Sequence, residues 1–245
     1  MFFRACGTYI TSVETETASA IPAEKPAPPW ADSLLEQGDR LTRDEFERRY
    51  ERRPDIKKAE LIEGAVYMPS PVRVVHHAEP HGLLNTWLGV YASETPGVKC
   101  LPNATVRLDL DNEPQPDLLL MKLPAKGGQA RISSDDYVEG VPELVVEIVG
   151  SSTNYDLHPK KDAYRRNGVR EYLAWITGER RVVWWQLRGG QYVEIAADTN
   201  GCLRSVVFPG LWLDVPALLR GDSKTVLATL RRAVDSPEHV AFAAG

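Results

Sequence analysis

Two acids stand in runs that would otherwise read as buried, wholly apolar strands. Glu147 interrupts Leu144-Val145-Val146-Glu147-Ile148-Val149, and Asp117, after Pro116, opens Leu118-Leu119-Leu120-Met121. Carboxylates rarely enter buried strands without a partner. Asp156, Lys160 and Tyr164 follow at four-residue steps, a spacing that puts three side chains on one helix face. Two carboxylates on separate strands suit a hard divalent cation such as magnesium, which takes one or two carboxylates and leaves room for water and phosphate. A cation held there would polarise a phosphate and acidify a water, and a nearby lysine would position that water or offset transition-state charge. This is the chemistry of phosphodiester hydrolysis.

Taken singly, each residue has a plainer reading. Asp117 fits a turn after Pro116, Glu147 an edge strand, Asp156 a helix N-cap ahead of Pro159, Lys160 a solvated surface and Tyr164 a core contact. The combination points to a site, because Lys160 lies one turn into a helix that starts a few residues after the Glu147 strand. His77 and His81 are spaced i, i+4 and could share a metal on a helix. No clear third ligand accompanies them, so packing or a phosphate contact is the better reading. Lys161, Arg165, Arg166 and Arg170 form a solvated face by default; beside a phosphodiesterase site, the same cations would meet a nucleic-acid backbone. Trp184 and Trp185 alternate in a strand, one toward the core and the other outward.

The elements that must position these groups are readable from periodicity and punctuation. Thr42-Arg43-Asp44-Glu45 has the form of a capping box, with Phe46 and Tyr50 on one face of the helix that follows. Glu60 to Met68 reads as a strand or tight hairpin through Gly64, broken by Pro69-Ser70-Pro71. Leu84, Leu88 and Tyr91, with Trp87 beside them, predict a helix from about His77 to Ala92. Residues 104 to 110 alternate as a half-buried strand. Lys122 to Pro142 reads as a polar loop with a short helix near Ser133-Ser134-Asp135-Asp136. A helix is predicted from about Asp156 to Asn167, stopped by Gly168. A strand meander follows through Tyr172–Ile176, Arg181–Leu187 and Tyr192–Ile195, and a last helix covers Ser223–Val234.

Residues 11 to 29 are rich in Thr, Ser, Ala, Glu and Pro and bury too little apolar surface to offset ordering entropy. The expected organisation is a tail over 1–38, one domain over 39–235 and a C-terminal tail over 236–245, with little packing before about Asp39. A net charge of −5 with 26% charged residues gives no global attraction to nucleic acid, so any such contact must be local. Cys6, Cys100 and Cys202 have no metal-ligand spacing and fit free thiols in a reducing compartment. No run reaches signal-peptide or membrane-span length. The expectation is a cytoplasmic protein with no membrane partner.

In order, Glu60-Leu61-Ile62-Glu63-Gly64, a histidine before a leucine-rich helix, Pro116-Asp117, Pro142-Glu143-Leu144-Val145-Val146-Glu147, Asp156-(x)3-Lys160-(x)3-Tyr164 and Gly168-Val169-Arg170-Glu171-Tyr172 resemble the Uma-type restriction-endonuclease-like family of the PD-(D/E)XK nuclease superfamily. The resemblance covers roughly residues 40 to 200 and implies an α/β fold, a restriction-endonuclease-like mixed central β-sheet flanked by helices. It implies a catalytic set of Asp117, Glu147, Lys160 and Glu60 or Glu63, with Asp117 and Glu147 as ligands of Mg2+ (or Mn2+). Asp156, Tyr164 and His77 would support that set, and Lys161, Arg165 and Arg166 would bind nucleic acid. The superfamily's usual lysine lies two residues after the second acid, where this chain has Val149; in the Uma-type pattern the lysine comes from the next helix, matching Lys160. Glu60 and Glu63 are three positions apart, so at most one is expected to point into the site. Gly150-Ser151-Ser152 departs from the family's Ser-Pro-Ser. The function implied is a metal-dependent DNA endonuclease, for which a homodimer would fit. The competing readings are a nuclease-fold module that binds nucleic acid or protein without cleaving and, more remotely, a metalloprotein built on the histidine pair.

Overall fold

The long apolar runs become the middle of one sheet. The computed structural model describes residues 34–68, 73–150 and 156–245, within a compact unit that begins at Ser33. Its first part holds helix α1 (Arg43–Tyr50), the hairpin β1 (Glu60–Ile62) and β2 (Ala65–Tyr67), and helix α2 (Glu79–Ser93) behind a π-helical turn, Val74–Ala78. Strands β3 (Val98–Pro102), β4 (Val106–Arg107), β5 (Leu118–Lys122), β6 (Ala130–Ile132), β7 (Val138–Gly140) and β8 (Leu144–Val149) come next. A second π-helical turn, Asp156–Lys160, runs into α3 (Lys161–Asn167), and β9 (Glu171–Ile176), β10 (Arg181–Arg188) and β11 (Gln191–Glu194) follow. The chain ends with β12 (Cys202–Arg204), β13 (Trp212–Asp214), α4 (Val215–Leu219), α5 (Ser223–Val234) and α6 (Pro237–Ala244).

The central sheet runs β11-β10-β9-β8-β5-β3. Only β8 and β9 pair in parallel; the other neighbours are antiparallel. This is the mixed sheet flanked by helices that the resemblance implied. β4, β7 and β6 form a small second sheet. No helix among the described residues is long and apolar enough to cross a membrane.

Because successive strand residues point to opposite faces, each central strand serves two layers. Leu118, Leu120, Leu144, Val146, Ile148, Leu173 and Trp184 pack with Leu84, Trp87, Leu88 and Tyr91 of α2 and Val226 and Leu230 of α5. Trp87 is fully buried and donates its indole N–H to the Trp212 carbonyl at 3.0 Å, so truncating it would cost about 3–5 kcal/mol. The opposite face carries Val145, Val149, Tyr172, Ala174 and Val183 against Tyr164 of α3. Farther along that face, Leu119 and Met121 meet Val106, Ala130 and Val138 of the small sheet. Positions 117 and 147 are in step with Leu119 and Val145, which sends both acids to the α3 side.

Several local expectations change. Thr42 is the N-cap of α1, but its side chain makes no cap bond. Glu45 is occupied by Arg48 at 2.7 Å and Arg49 at 2.6 Å, and such charge-assisted bonds outcompete a neutral backbone donor. Ser133-Ser134-Asp135-Asp136 is the turn between β6 and β7 in place of a helix, with Asp136 at φ 68. Gly128, before β6, is required by close packing, because a Cβ there would collide with the Lys122 carbonyl. The alternating segment 104–110 yields only the two-residue β4. Leu35, assigned to the tail from sequence, is buried with Phe46, Leu61 and Val66. Residues Pro237–Ala244, also assigned to a tail, form a helix whose buried His239 meets Thr95 Oγ1 at 2.9 Å. The composition-based tail over 11–29 and the break at Pro69-Ser70-Pro71 lie outside the described residues.

The hairpin is attached through Glu113, whose backbone exchanges hydrogen bonds with Leu61 at 2.7 and 3.1 Å. The Glu113 side chain is buried beside Glu47. Burial, with a hydrogen bond to Glu47 and repulsion from its charge, pushes the Glu113 carboxyl up to about 9, against the opposing pull of Arg107 and Arg43. A folded value above the unfolded one near 4.5 means the unfolded chain releases this proton first. Its contribution to stability is therefore complete below the unfolded value and is lost as pH rises towards 9. Glu113→Gln keeps a neutral donor for Glu47 and removes the titration. Thermal melts should show the variant gaining several degrees on the parent between pH 5 and pH 8; a constant difference across that range would contradict the assignment.

Candidate active site

Asp117 and Glu147 are brought together by strand register. β5 and β8 pair with Leu118 opposite Val146, so the next step places Asp117 opposite Glu147 on the same sheet face. Both are buried. Asp117 Oδ2 accepts the Ile148 N–H at 2.7 Å, and Oδ1 lies 3.1 Å from His77 Nε2. His81, one turn further on, places Nε2 3.0 Å from the Asp117 carbonyl oxygen. Burial alone would raise the Asp117 carboxyl. The His77 hydrogen bond and charge, the Ile148 N–H and the Lys160 ammonium outweigh it and hold the group below its ordinary value.

Lys160 closes the second π-helical turn and opens α3. It is only 2% exposed. Its Nζ lies 2.7 Å from Glu147 Oε1 and 3.0 Å from Glu60 Oε1. Tyr164, four residues along, donates its hydroxyl to the same Glu147 oxygen at 3.0 Å. Burial first, and then the Glu147 and Glu60 charges, raise the Tyr164 phenol and keep it a donor, although Lys160 pulls the other way. Glu60 Oε1 also accepts the Gln115 N–H at 2.7 Å. One ammonium is thus shared by carboxylates from β1 and β8. Removing one partner of such a buried set typically costs about 3–5 kcal/mol.

The remaining sequence candidates divide clearly. Glu63 occupies the β1–β2 turn at φ 54 and pairs with Arg166, away from Lys160. Arg165 pairs with Asp162 at 3.4 Å and donates to the Gly190 carbonyl at 2.9 Å. Lys161 is turned onto Trp185, its Nζ 3.6 Å from the ring centroid. Val149, where the wider superfamily has its lysine, is fully buried. The Asp156 side chain and the Ser151-Ser152 part of the departing turn lie outside the described residues. Sequence reasoning missed Gln115, whose backbone N–H holds Glu60, and gave His77 and His81 no specific partner. Their spacing was the available signal, yet both serve Asp117 from one helical face.

Among the described residues, no group of three or more His, Cys, Asp and Glu side chains is arranged to hold a metal ion. The donor set still fits a hard cation. Asp117 and Glu147 stand opposite one another on one sheet face, and both are carboxylates, the oxygen donors that a hard cation takes. Magnesium-like ions need only one or two carboxylates, with water and phosphate filling the rest.

Known proteins place this geometry in context. A comparison with curated proteins gives no match. Among solved structures, "a putative nuclease belonging to DUF820 from Anabaena variabilis ATCC 29413" is similar, with a TM-score of 0.55 and 13% identity, over 74% of this chain and 98% of that one. At that identity the likeness shows the fold. The model of the Uma2 family, described as "Putative restriction endonuclease", matches residues 43–216, a span that contains Glu60, His77, Asp117, Glu147, Lys160 and Tyr164. The chain therefore belongs to the Uma2 restriction-endonuclease-like family, with a nuclease fold.

Proposed function

We propose that the protein is a divalent-metal-dependent nuclease that hydrolyses DNA phosphodiester bonds at the Asp117–Glu147–Lys160 site. The observation that carries the reading is Lys160 Nζ, held 2.7 Å from Glu147 Oε1 on the strand neighbouring Asp117. Asp117 and Glu147 would hold a magnesium or manganese ion. When bound, such an ion supplies Lewis-acid polarisation of the phosphate and lowers the pKa of water. The protein's part is orientation. The Ile148 N–H and His77 fix the Asp117 carboxylate, Tyr164 fixes Glu147, and Glu60 keeps the Lys160 ammonium beside Glu147. Lys160 would hold the attacking water and offset the charge that builds on the phosphate. As a homodimer the protein would present two such sites to a duplex.

Lys160→Ala should abolish magnesium- or manganese-dependent cleavage of plasmid DNA, while metal binding followed by calorimetry survives because both carboxylates remain. Truncation leaves Glu60 and Glu147 without their shared ammonium, so a melting curve must show the variant folded; Lys160→Gln, which keeps a donor, is the companion. Cleavage equal to the parent's would refute the role of Lys160. If the parent cleaves no DNA with either metal, the nuclease-fold binding module becomes the better reading.

Lys161 is the internal control. It is rotated about 100° from Lys160 around the helix and contacts Trp185. Lys161→Ala should leave the catalytic rate intact and weaken DNA binding modestly, lowering the slope of log affinity against log salt by about one. A catalytic loss as deep as that of Lys160→Ala would mean that the wrong lysine has been placed in the site.

A further inference from the structure

The sheet face that carries Glu147 also carries a row of aromatic rings. Trp185 on β10 is opposite Tyr172 on β9, and Tyr172 is in register with Val145 on β8. Glu147 is the next β8 residue on that face. With strands about 4.8 Å apart and a rise of about 3.3 Å per residue, the Cα atoms of Trp185 and Glu147 are separated by roughly 12 Å. Trp185 stacks on Tyr172, with ring centroids 5.5 Å apart and planes at 16°. Tyr172 also stacks on Tyr192 at 6.1 Å and 24° and leans on Tyr164 at 5.6 Å. Tyr164 is the residue whose hydroxyl holds Glu147. Tyr172 is buried, whereas Trp185 is partly exposed. Lys161, whose ammonium rests on the indole at 3.6 Å, is a long, flexible side chain on the helix that supplies Lys160.

This arrangement has the ingredients of a nucleobase contact: an aromatic surface, a cation that can be exchanged for a base, and backbone cations nearby. Lys161 and Arg165 lie one turn apart on α3. Their charge is opposed by Asp162, paired with Arg165 at 3.4 Å, and by Glu194, across from Trp185 in β11. With charge nearly balanced, phosphate attraction is weak here and ring stacking must carry the contact. Stacking is open only to a base that has left the duplex, since paired bases hide their faces.

We propose that Trp185 is a stacking platform for an unpaired base of the DNA held at the Asp117–Glu147 site, with Lys161 swinging from the indole to a backbone phosphate as the base arrives. The proposal rests on the nuclease reading and narrows its substrate to DNA with single-stranded character within roughly two to four nucleotides of the scissile phosphate, given about 3.4 Å per nucleotide in a duplex and more in an extended strand. A ring stacked on Trp185 replaces a cation–π contact with a π–π contact, so the indole is covered in both states.

The test measures binding without cleavage. Fluorescence anisotropy in EDTA would compare a short labelled oligo(dT) with a blunt duplex for the parent, Trp185→Leu and Trp185→Phe. A 5-iodouracil oligonucleotide would be photocrosslinked to the parent and the adduct mapped by mass spectrometry. Trp185→Leu should lose roughly tenfold to a hundredfold in oligo(dT) affinity with duplex affinity almost unchanged, Trp185→Phe should retain most of the binding, and the crosslink should fall on Trp185. Equal losses on both ligands, unaltered oligo(dT) binding in Trp185→Leu, a crosslink elsewhere, or no binding of oligo(dT) by the parent would each overturn the proposal. The two readings fail separately. A parent that binds oligo(dT) through Trp185 but cleaves nothing removes the nuclease and keeps the platform; a parent that cleaves while Trp185→Leu binds oligo(dT) normally does the reverse.

Discussion

The ammonium of Lys160 is the point at which three distant parts of the chain are joined. It sits between Glu60 of the first hairpin and Glu147 of the central strand β8, and it belongs to the helical segment that follows that strand. A buried charge is tolerable only when opposite charges and hydrogen bonds surround it, so the three segments have to meet. Glu113, paired with Leu61 through the backbone, fixes where the hairpin lies, and the Gln115 N–H fixes the Glu60 carboxylate within it. Fold and candidate site are therefore coupled, because the hairpin supplies the Glu60 carboxylate that holds the Lys160 ammonium beside Glu147.

The pleat of the sheet divides the labour. One face is filled by α2 and α5 with apolar side chains of every size. The other face carries the acids and the aromatic row of Tyr172, Trp185 and Tyr192, in the same two-residue rhythm as Val145 and Val149, with Tyr164 of α3 packed over it. A one-residue slip of β5 against β8 would move Asp117 out of line with Glu147 and turn Leu118 and Leu120 away from α2. The core on the far side thus enforces the alignment of the carboxylates on the near side.

Much of this was legible because the informative residues break a local pattern. An acid inside an apolar run, or a proline–aspartate at the head of one, needs no tertiary information to be noticed, and the four-residue spacing of Lys160 and Tyr164 survives into the structure. The hairpin was marked by Gly64, and the choice between Glu60 and Glu63 followed once Glu63 proved to lie in the turn. What escaped depends on contacts made at long range. His77 meets Asp117 across forty positions. The backbone N–H of Gln115 has no side-chain signature. Helix α6 carried Ser236 and Pro237 as start signals, but it is short, and its anchoring by His239 needs Thr95. The capping box failed because Arg48 and Arg49, one turn on, claimed its glutamate.

The π-helical turn Asp156–Lys160 sets the rotational phase of everything after it. Two lysines stand side by side at its end, one directed inward to Glu147 and one outward to Trp185, and a single residue of phase separates these destinations. Substitutions along the turn leave the phase alone, but gaining or losing one residue would rotate α3 by about 100°. The inward and outward lysines would then be displaced together, along with Tyr164. Lys160 apart, this stretch of chain should consequently tolerate changes of spelling much better than changes of length, since length here works as the timing of the site.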